Sequence, residues 1–152
     1  MKFKLITLFG ILFLFSCQRT NACYDLLVQE EILELPDGGQ EFIKKTYLND
    51  VVYTGKCETF YDDLGLQVDS QRQYKNGLDH GKWTFYYPNG EVETTGRFRK
   101  GKRIGTWKYY YEDGTLSQIS KYQNGLKHGT WKVFSEKGEL LSENKWVKGV
   151  LN

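Results

Sequence analysis

Histidine is nearly absent from this sequence: 152 residues hold only His80 and His128. Each directly precedes a glycine that opens a repeat, and Ile104 fills the equivalent slot between them. Four strand steps of ~4.8 Å would separate the two by roughly 19 Å. Zinc ligands must lie within about 2 Å of the ion, so the pair cannot share one. Asp79 and His80 are adjacent, and adjacent strand residues point to opposite faces, which argues against an acid–base pair. No G-x-S-x-G nucleophile elbow accompanies them. No glycine-rich loop opens a helix, so a phosphate cradle is missing too. The carboxylate pairs Glu30-Glu31 and Asp62-Asp63 read as solvated turn residues. These absences leave no catalytic residue, no metal site and no cofactor to nominate.

Net charge is also lacking. The chain carries 21 Lys and Arg against 19 Asp and Glu, and loss of a leader containing Lys2 and Lys4 would leave 19 of each. A neutral domain has no electrostatic drive toward nucleic acid, whose non-specific binding rests on phosphate neutralisation. Beyond the first seventeen residues no amphipathic helix is evident, so a sheet would have little but itself to pack against.

The first seventeen residues, MKFKLITLFGILFLFSC, are a different matter. Lys2 and Lys4 precede an apolar run from Leu5 to Phe15 that falls short of the roughly 20 residues needed to span a bilayer. This is the pattern of a secretory leader. Its end, Leu14-Phe15-Ser16-Cys17, resembles the bacterial lipobox, with Phe15 bulkier than usual there. The resemblance implies cleavage after residue 16 and acylation of Cys17, leaving 17–25 as a lipidated tether. It implies an envelope location, outer membrane in preference to inner. A conventional leader with an incidental cysteine is the alternative. Two cysteines would remain, Cys23 and Cys57. Export permits a disulfide between them, and the alternative is a small buried Cys57 with Cys23 in a mobile tether.

The rest is periodic. Blocks of 24 begin at Gly81, Gly105 and Gly129, each followed two residues on by Trp83, Trp107 and Trp131. Gly90, Gly114 and Gly138 recur in turns, then Phe98, Tyr122 and Trp146, and each block closes at Gly101, Gly125 and Gly149. An earlier copy, 55–80, is two residues longer and has Cys57 in the tryptophan slot. Each block holds two strands around Asn-Gly or Asp-Gly turns, a hairpin signature. A two-residue turn at Asn89-Gly90 pairs Tyr87 with Val92, Phe85 with Thr94 and Trp83 with Gly96. The same register opposes Trp107 to Ser120 and Trp131 to Asn144. Trp83, Phe85, Tyr87, Val92 and Phe98 then share one apolar face, and Thr84, Tyr86, Glu93, Thr95 and Arg97 share the other. The expected fold is all-β: one antiparallel meander of 24-residue hairpins over 26–152, with repeats near 55–80, 81–104, 105–128 and 129–152. Residues 26–54 would add strands that cap it.

The pattern G-x-W-x-x-Y-Y-x-x-G-x-[LV] resembles the MORN repeat variant, and the chain is similar to the YwqK-like antitoxin components of toxin–antitoxin systems. That resemblance implies a non-enzymatic β-meander that binds a partner, in some members a toxin; a lipobox does not suit a cytoplasmic antitoxin. Residues the core does not need are Tyr86, Tyr110 and Phe134, with Lys108 and Lys132 beside them. Arg97, Arg99, Lys100, Lys102 and Arg103 put five cations into seven residues at one hairpin tip, and Glu30, Glu31, Glu34, Asp37 and Glu41 give the other end an acidic bias. The leading expectation is a protein-interaction surface. The alternative is an envelope glycan, peptidoglycan or lipid headgroup, with rings ~9–10 Å apart across two strand steps.

Overall fold

The computed structural model describes residues 21–23, 26–35 and 40–152. The expected leader and the expected acylation position, Cys17, lie outside them, as does Asp37. The first strands are β1 (Asn21–Ala22), β2 (Leu26–Glu34), β3 (Gln40–Leu48) and β4 (Val51–Val52). The repeats supply β5 (Gly55–Phe60), β6 (Val68–Lys75), β7 (Leu78–Asp79), β8 (Gly81–Tyr86), β9 (Val92–Arg99), β10 (Lys102–Tyr110) and β11 (Leu116–Gln123). They end with β12 (Leu126–Lys127), β13 (Gly129–Phe134), β14 (Leu140–Val147) and β15 (Val150–Leu151).

The architecture is all-β and antiparallel, built from tandem hairpins as the period implied. It is divided into two sheets. A 12-stranded sheet runs β1-β5-β6-β8-β9-β10-β11-β13-β14-β15, with β7 on β6 and β12 on β11. The strands β2, β3 and β4 form a separate 3-stranded sheet, tied to the first through Thr46 N–H to the Gly77 carbonyl and Gly77 N–H to that of Tyr53. Asn21 and Ala22, within the segment expected as a tether, pair in parallel with Cys57 and Glu58. Cys23 is bonded to Cys57. The tryptophan slot of the first repeat is thus filled by a disulfide, which packs with Tyr53, Tyr74 and Trp83.

Two kinds of turn alternate along the array. At Asn76-Gly77, Lys100-Gly101, Asn124-Gly125 and Lys148-Gly149 both residues have positive φ, the two-residue type I′ turn whose twist matches the strands. At Asn89-Gly90 only the glycine does, with φ 87°. There Gly90 N–H reaches the Tyr87 carbonyl and Tyr87 N–H reaches that of Glu91. This is a three-residue loop, a type I turn with a glycine bulge, and Pro88 supplies the fixed φ its first corner favours. Gly114 and Gly138 repeat it with φ 81° and 78°.

That loop corrects the expected register. Trp83 does oppose Gly96 and Phe85 opposes Thr94, but a bulge follows and Val92 pairs with Tyr86, not Tyr87. Leu116 likewise pairs with Tyr110, and Leu140 with Phe134. The extra residue reverses the alternation, so Val92 leaves the tryptophan face for the opposite one.

On the tryptophan face eight rings form an unbroken spine: Tyr53, Tyr74, Trp83, Phe98, Trp107, Tyr122, Trp131 and Trp146. Successive centroids are 4.7–6.3 Å apart, and most contacts are edge-on or tilted. Such pairs stabilise by ~0.5–1.5 kcal/mol beyond the area they bury. Each tryptophan also lies under a cation: Arg72 over Trp83 at 5.4 Å, Arg103 over Trp107 at 4.5 Å and Lys127 over Trp131 at 4.5 Å.

Candidate functional site

The three residues Tyr109, Tyr110 and Tyr111 divide the molecule's tasks among themselves. Tyr109 faces the spine, where burial and the neighbouring Tyr122 hydroxyl push its pKa up to about 12. The Tyr111 hydroxyl donates to the Phe134 carbonyl of the next repeat at 2.8 Å. Tyr87 does the same to Tyr110 at 2.7 Å, and Tyr61 to Tyr86 at 2.6 Å. These tyrosines staple one repeat to the next at the bulged-turn end. The expected register put Tyr87 on the apolar face and missed the staple, although Tyr61, Tyr87 and Tyr111 recur with the period.

Tyr110 points the other way. It shares the second face with Tyr86 and Phe134, each half-buried, and the bulge brings Val92, Leu116 and Leu140 opposite them. The result is a ladder of aromatic–aliphatic pairs that takes no part in the spine. Tyr86 is additionally held by its hydroxyl bond to Gln71 at 2.9 Å, and burial raises its pKa.

Beside this ladder lies a groove of about 500 Å³ lined by Lys82, Thr95, Gly96, Arg97, Thr106, Lys108 and Tyr110. It adjoins a second hollow of about 400 Å³ that adds Thr84, Glu91, Val92 and Gly114. Lys108 and Arg97 therefore join Tyr110 as expected, and Lys132 stands on the same face, paired with Glu143 at 3.2 Å. Arg103 does not. Strand alternation separates it from Arg97, and its guanidinium lies over Trp107 and Tyr122 on the spine face. Arg99 and Lys102 oppose each other across the Lys100-Gly101 turn, at the hairpin tip. The run of five cations is thus two faces and a tip, not one patch. Lys82, adjacent to Trp83, was not among the expected residues.

The acidic end is also different from expectation. Glu30 pairs with Lys44, and Glu31 takes both Lys45 and the Tyr47 hydroxyl, so these carboxylates are balanced within their own sheet. Asp62 caps its loop by accepting the Leu66 and Gln67 N–H groups, which lowers its pKa. Asp79 occupies the repeat position of Arg103 and Lys127. Burial raises its pKa and the nearby Arg72 partly opposes that. It helps line a cavity of about 530 Å³ between the two sheets, with Tyr74, Trp83, Thr46 and Arg72. His80 and His128 sit directly before Gly81 and Gly129, their N–H groups bonded to the Gln73 and Lys121 carbonyls.

With two-strand hairpins, a tryptophan spine and alternating turns in view, the repeat can be compared with known ones. Residues 79–100, 103–124 and 127–148 match the MORN repeat variant. The chain carries three tandem MORN-variant repeats. No curated protein matches it. The MORN-variant segments begin at Asp79 in β7, Arg103 in β10 and Lys127 in β12, so each one contains the indole and the bulged turn that follows it. The repeat pattern holds residues of both faces, the indole of the spine and the aromatic–aliphatic pairs of the second face, while other second-face positions vary among the three copies: Thr84, Lys108 and Lys132 are equivalent, as are Thr95, Ile119 and Glu143.

Proposed function

We propose that this protein is a non-enzymatic interaction module whose second sheet face docks a protein partner, and that it is held at the bacterial envelope through an acylated Cys17. The ladder of Tyr86, Tyr110 and Phe134 with Val92, Leu116 and Leu140 carries this reading. It places aromatic and aliphatic surface where the fold has no use for it, next to cations, a combination suited to binding hot spots. The similarity to YwqK-like antitoxins and the leader's lipobox together favour an immunity-like role outside the cytoplasm.

Tyr110→Ala is expected to shift the thermal melt little and to weaken capture of the partner from detergent-solubilised envelope. Tyr109→Ala should lower the melt through loss of spine packing. Matching stability losses with unchanged capture would reduce Tyr110 to ordinary packing and refute the docking face. Retention on purified cell-wall glycan, with no protein captured, would replace the protein partner by a saccharide.

The anchor has its own expected result. The full-length protein should partition with detergent and carry acyl chains, because two or more chains are needed for stable anchoring. Cys17→Ser should move it to the aqueous phase. An unacylated wild type in that phase would refute the anchor.

A further inference from the structure

Charge on this molecule is placed unevenly with respect to its partners. Lys44, Lys45 and Lys132 sit against Glu30, Glu31 and Glu143. Arg72, Arg103 and Lys127 lie over aromatic rings. Among the described residues, Lys82, Arg97 and Lys108 are three of several cations that do neither, and these three line the same groove.

Their placement works against the fold. Lys82 and Arg97 are direct cross-strand partners on β8 and β9, and like charges directly opposite one another destabilise a sheet. Lys108 is opposed to Thr95 on the next strand, so the third cation lies one strand over and one same-face position along. The floor offers hydroxyls: Thr95 donates to the Trp83 carbonyl at 3.2 Å, and Thr106 stands in the rim. Apart from Glu91 at the far end, the two hollows present no carboxylate. Three cations against the single carboxylate of Glu91 leave the lining positively charged, and its natural occupant presents acceptors of negative charge.

Tyr110 and Val92 add apolar surface to the same lining. A neutral sugar would leave the three cations without a counter-charge. A peptide that alternates carboxylates with aliphatic side chains matches both the cations and this apolar surface.

We infer that the Lys82–Arg97–Lys108 groove binds an acidic segment of the protein partner, its carboxylates supplying the counter-charge that this cluster lacks among the described residues. This rests on the interaction-module reading and adds the partner's chemistry to it. Side chains two residues apart on an extended segment lie ~6.6–6.8 Å apart on one face, within reach of a cation pair on neighbouring strands together with a third cation beyond.

The test uses the full-length protein in detergent micelles with labelled deca-glutamate as the probe, followed by fluorescence anisotropy at low and high salt. Wild type should bind at low salt and lose the peptide as salt screens the charges. Lys82→Gln with Arg97→Gln should weaken binding by at least about tenfold while leaving the melt unchanged or raising it, since a like-charge pair is removed. Lys137→Gln, in an exposed turn, should bind as wild type does. If the double variant misfolds, Lys108→Gln alone serves, with the same direction of change. Absence of wild-type binding, an equal loss in Lys137→Gln, or tighter binding of oligogalacturonate of matched charge would overturn the inference. Should the peptide fail while capture still depends on Tyr110, only the acidic chemistry is refuted. Should the peptide bind while capture ignores Tyr110, the docking face itself falls.

Discussion

Replacing Trp107 with alanine will destabilise the array by about 3–5 kcal/mol, the range for removing a large buried aromatic. Trp107 is 1% exposed, the most deeply buried ring in the spine. Phe98 and Tyr122 meet it edge-on at 5.1 and 6.3 Å, and Arg103 covers it. Its face rests on Gly96, where a Cβ would come within 2.1 Å of the indole; glycine is needed there for the close approach. Alanine at 107 removes the link between the two halves of the spine, and MORN-type hairpins depend on their neighbours for burial. Urea unfolding followed by near-UV circular dichroism measures the effect. A midpoint near that of wild type would mean the spine contributes little to stability. Phenylalanine at the same place should cost much less. The indole N–H of Trp83 reaches the Gln73 carbonyl and that of Trp131 the Lys121 carbonyl, each at 2.9 Å, but the Trp107 N–H is buried without a partner. A ring lacking that donor gives up no hydrogen bond.

The second large effect is expected at the other end. Opening the Cys23–Cys57 bridge, by Cys57→Ser or by reduction, should lower stability by about 3–4 kcal/mol, the chain-entropy value for a closed loop of this size. The bridge joins residues 34 apart. Cys57 is 1% exposed, so serine also buries a hydroxyl where a sulfur packed against Tyr74 and Trp83. Denaturation of wild type with and without reductant, beside the variant, separates these contributions. Reduced wild type should approach the variant from above, the remaining gap being the buried hydroxyl. Identical stability of oxidised and reduced wild type would show that the unfolded chain is already constrained between the two positions.

The period, the strand content and the Trp83–Gly96, Trp107–Ser120 and Trp131–Asn144 pairings could be read from the sequence because each indole needs a small residue across the ladder. The turn at Asn89-Gly90 could not be read from that dipeptide alone, which serves both loop types. Pro88 held the missing information, since its fixed φ suits a type I corner. One residue of difference in the loop then decided which face received Val92, Leu116 and Leu140, and with them the character of the candidate site. The five clustered cations were misread for a related reason. Nearness along the chain says little about nearness in space when successive side chains alternate. Lys82 was passed over because its neighbour Trp83 claimed the position for the core. The tyrosine staple demanded knowledge of which loops adjoin, and only the stacked hairpins supply it.

The spine has a bearing on how such a chain can change length. Every joint is made between the second aromatic of one hairpin and the indole of the next, as with Phe98 to Trp107 and Tyr122 to Trp131. A duplication or deletion of one whole 24-residue unit leaves each ring with a neighbour of the kind it had before. Any other number would slide the indoles off their glycine, serine and asparagine seats and turn the Tyr87 and Tyr111 hydroxyls away from their carbonyls. The two additional residues of the first repeat are accommodated between Phe60 and Val68, outside the ladder. Growth by whole copies, with variation confined to bulged loops and the second face, is the course of divergence that this geometry leaves open.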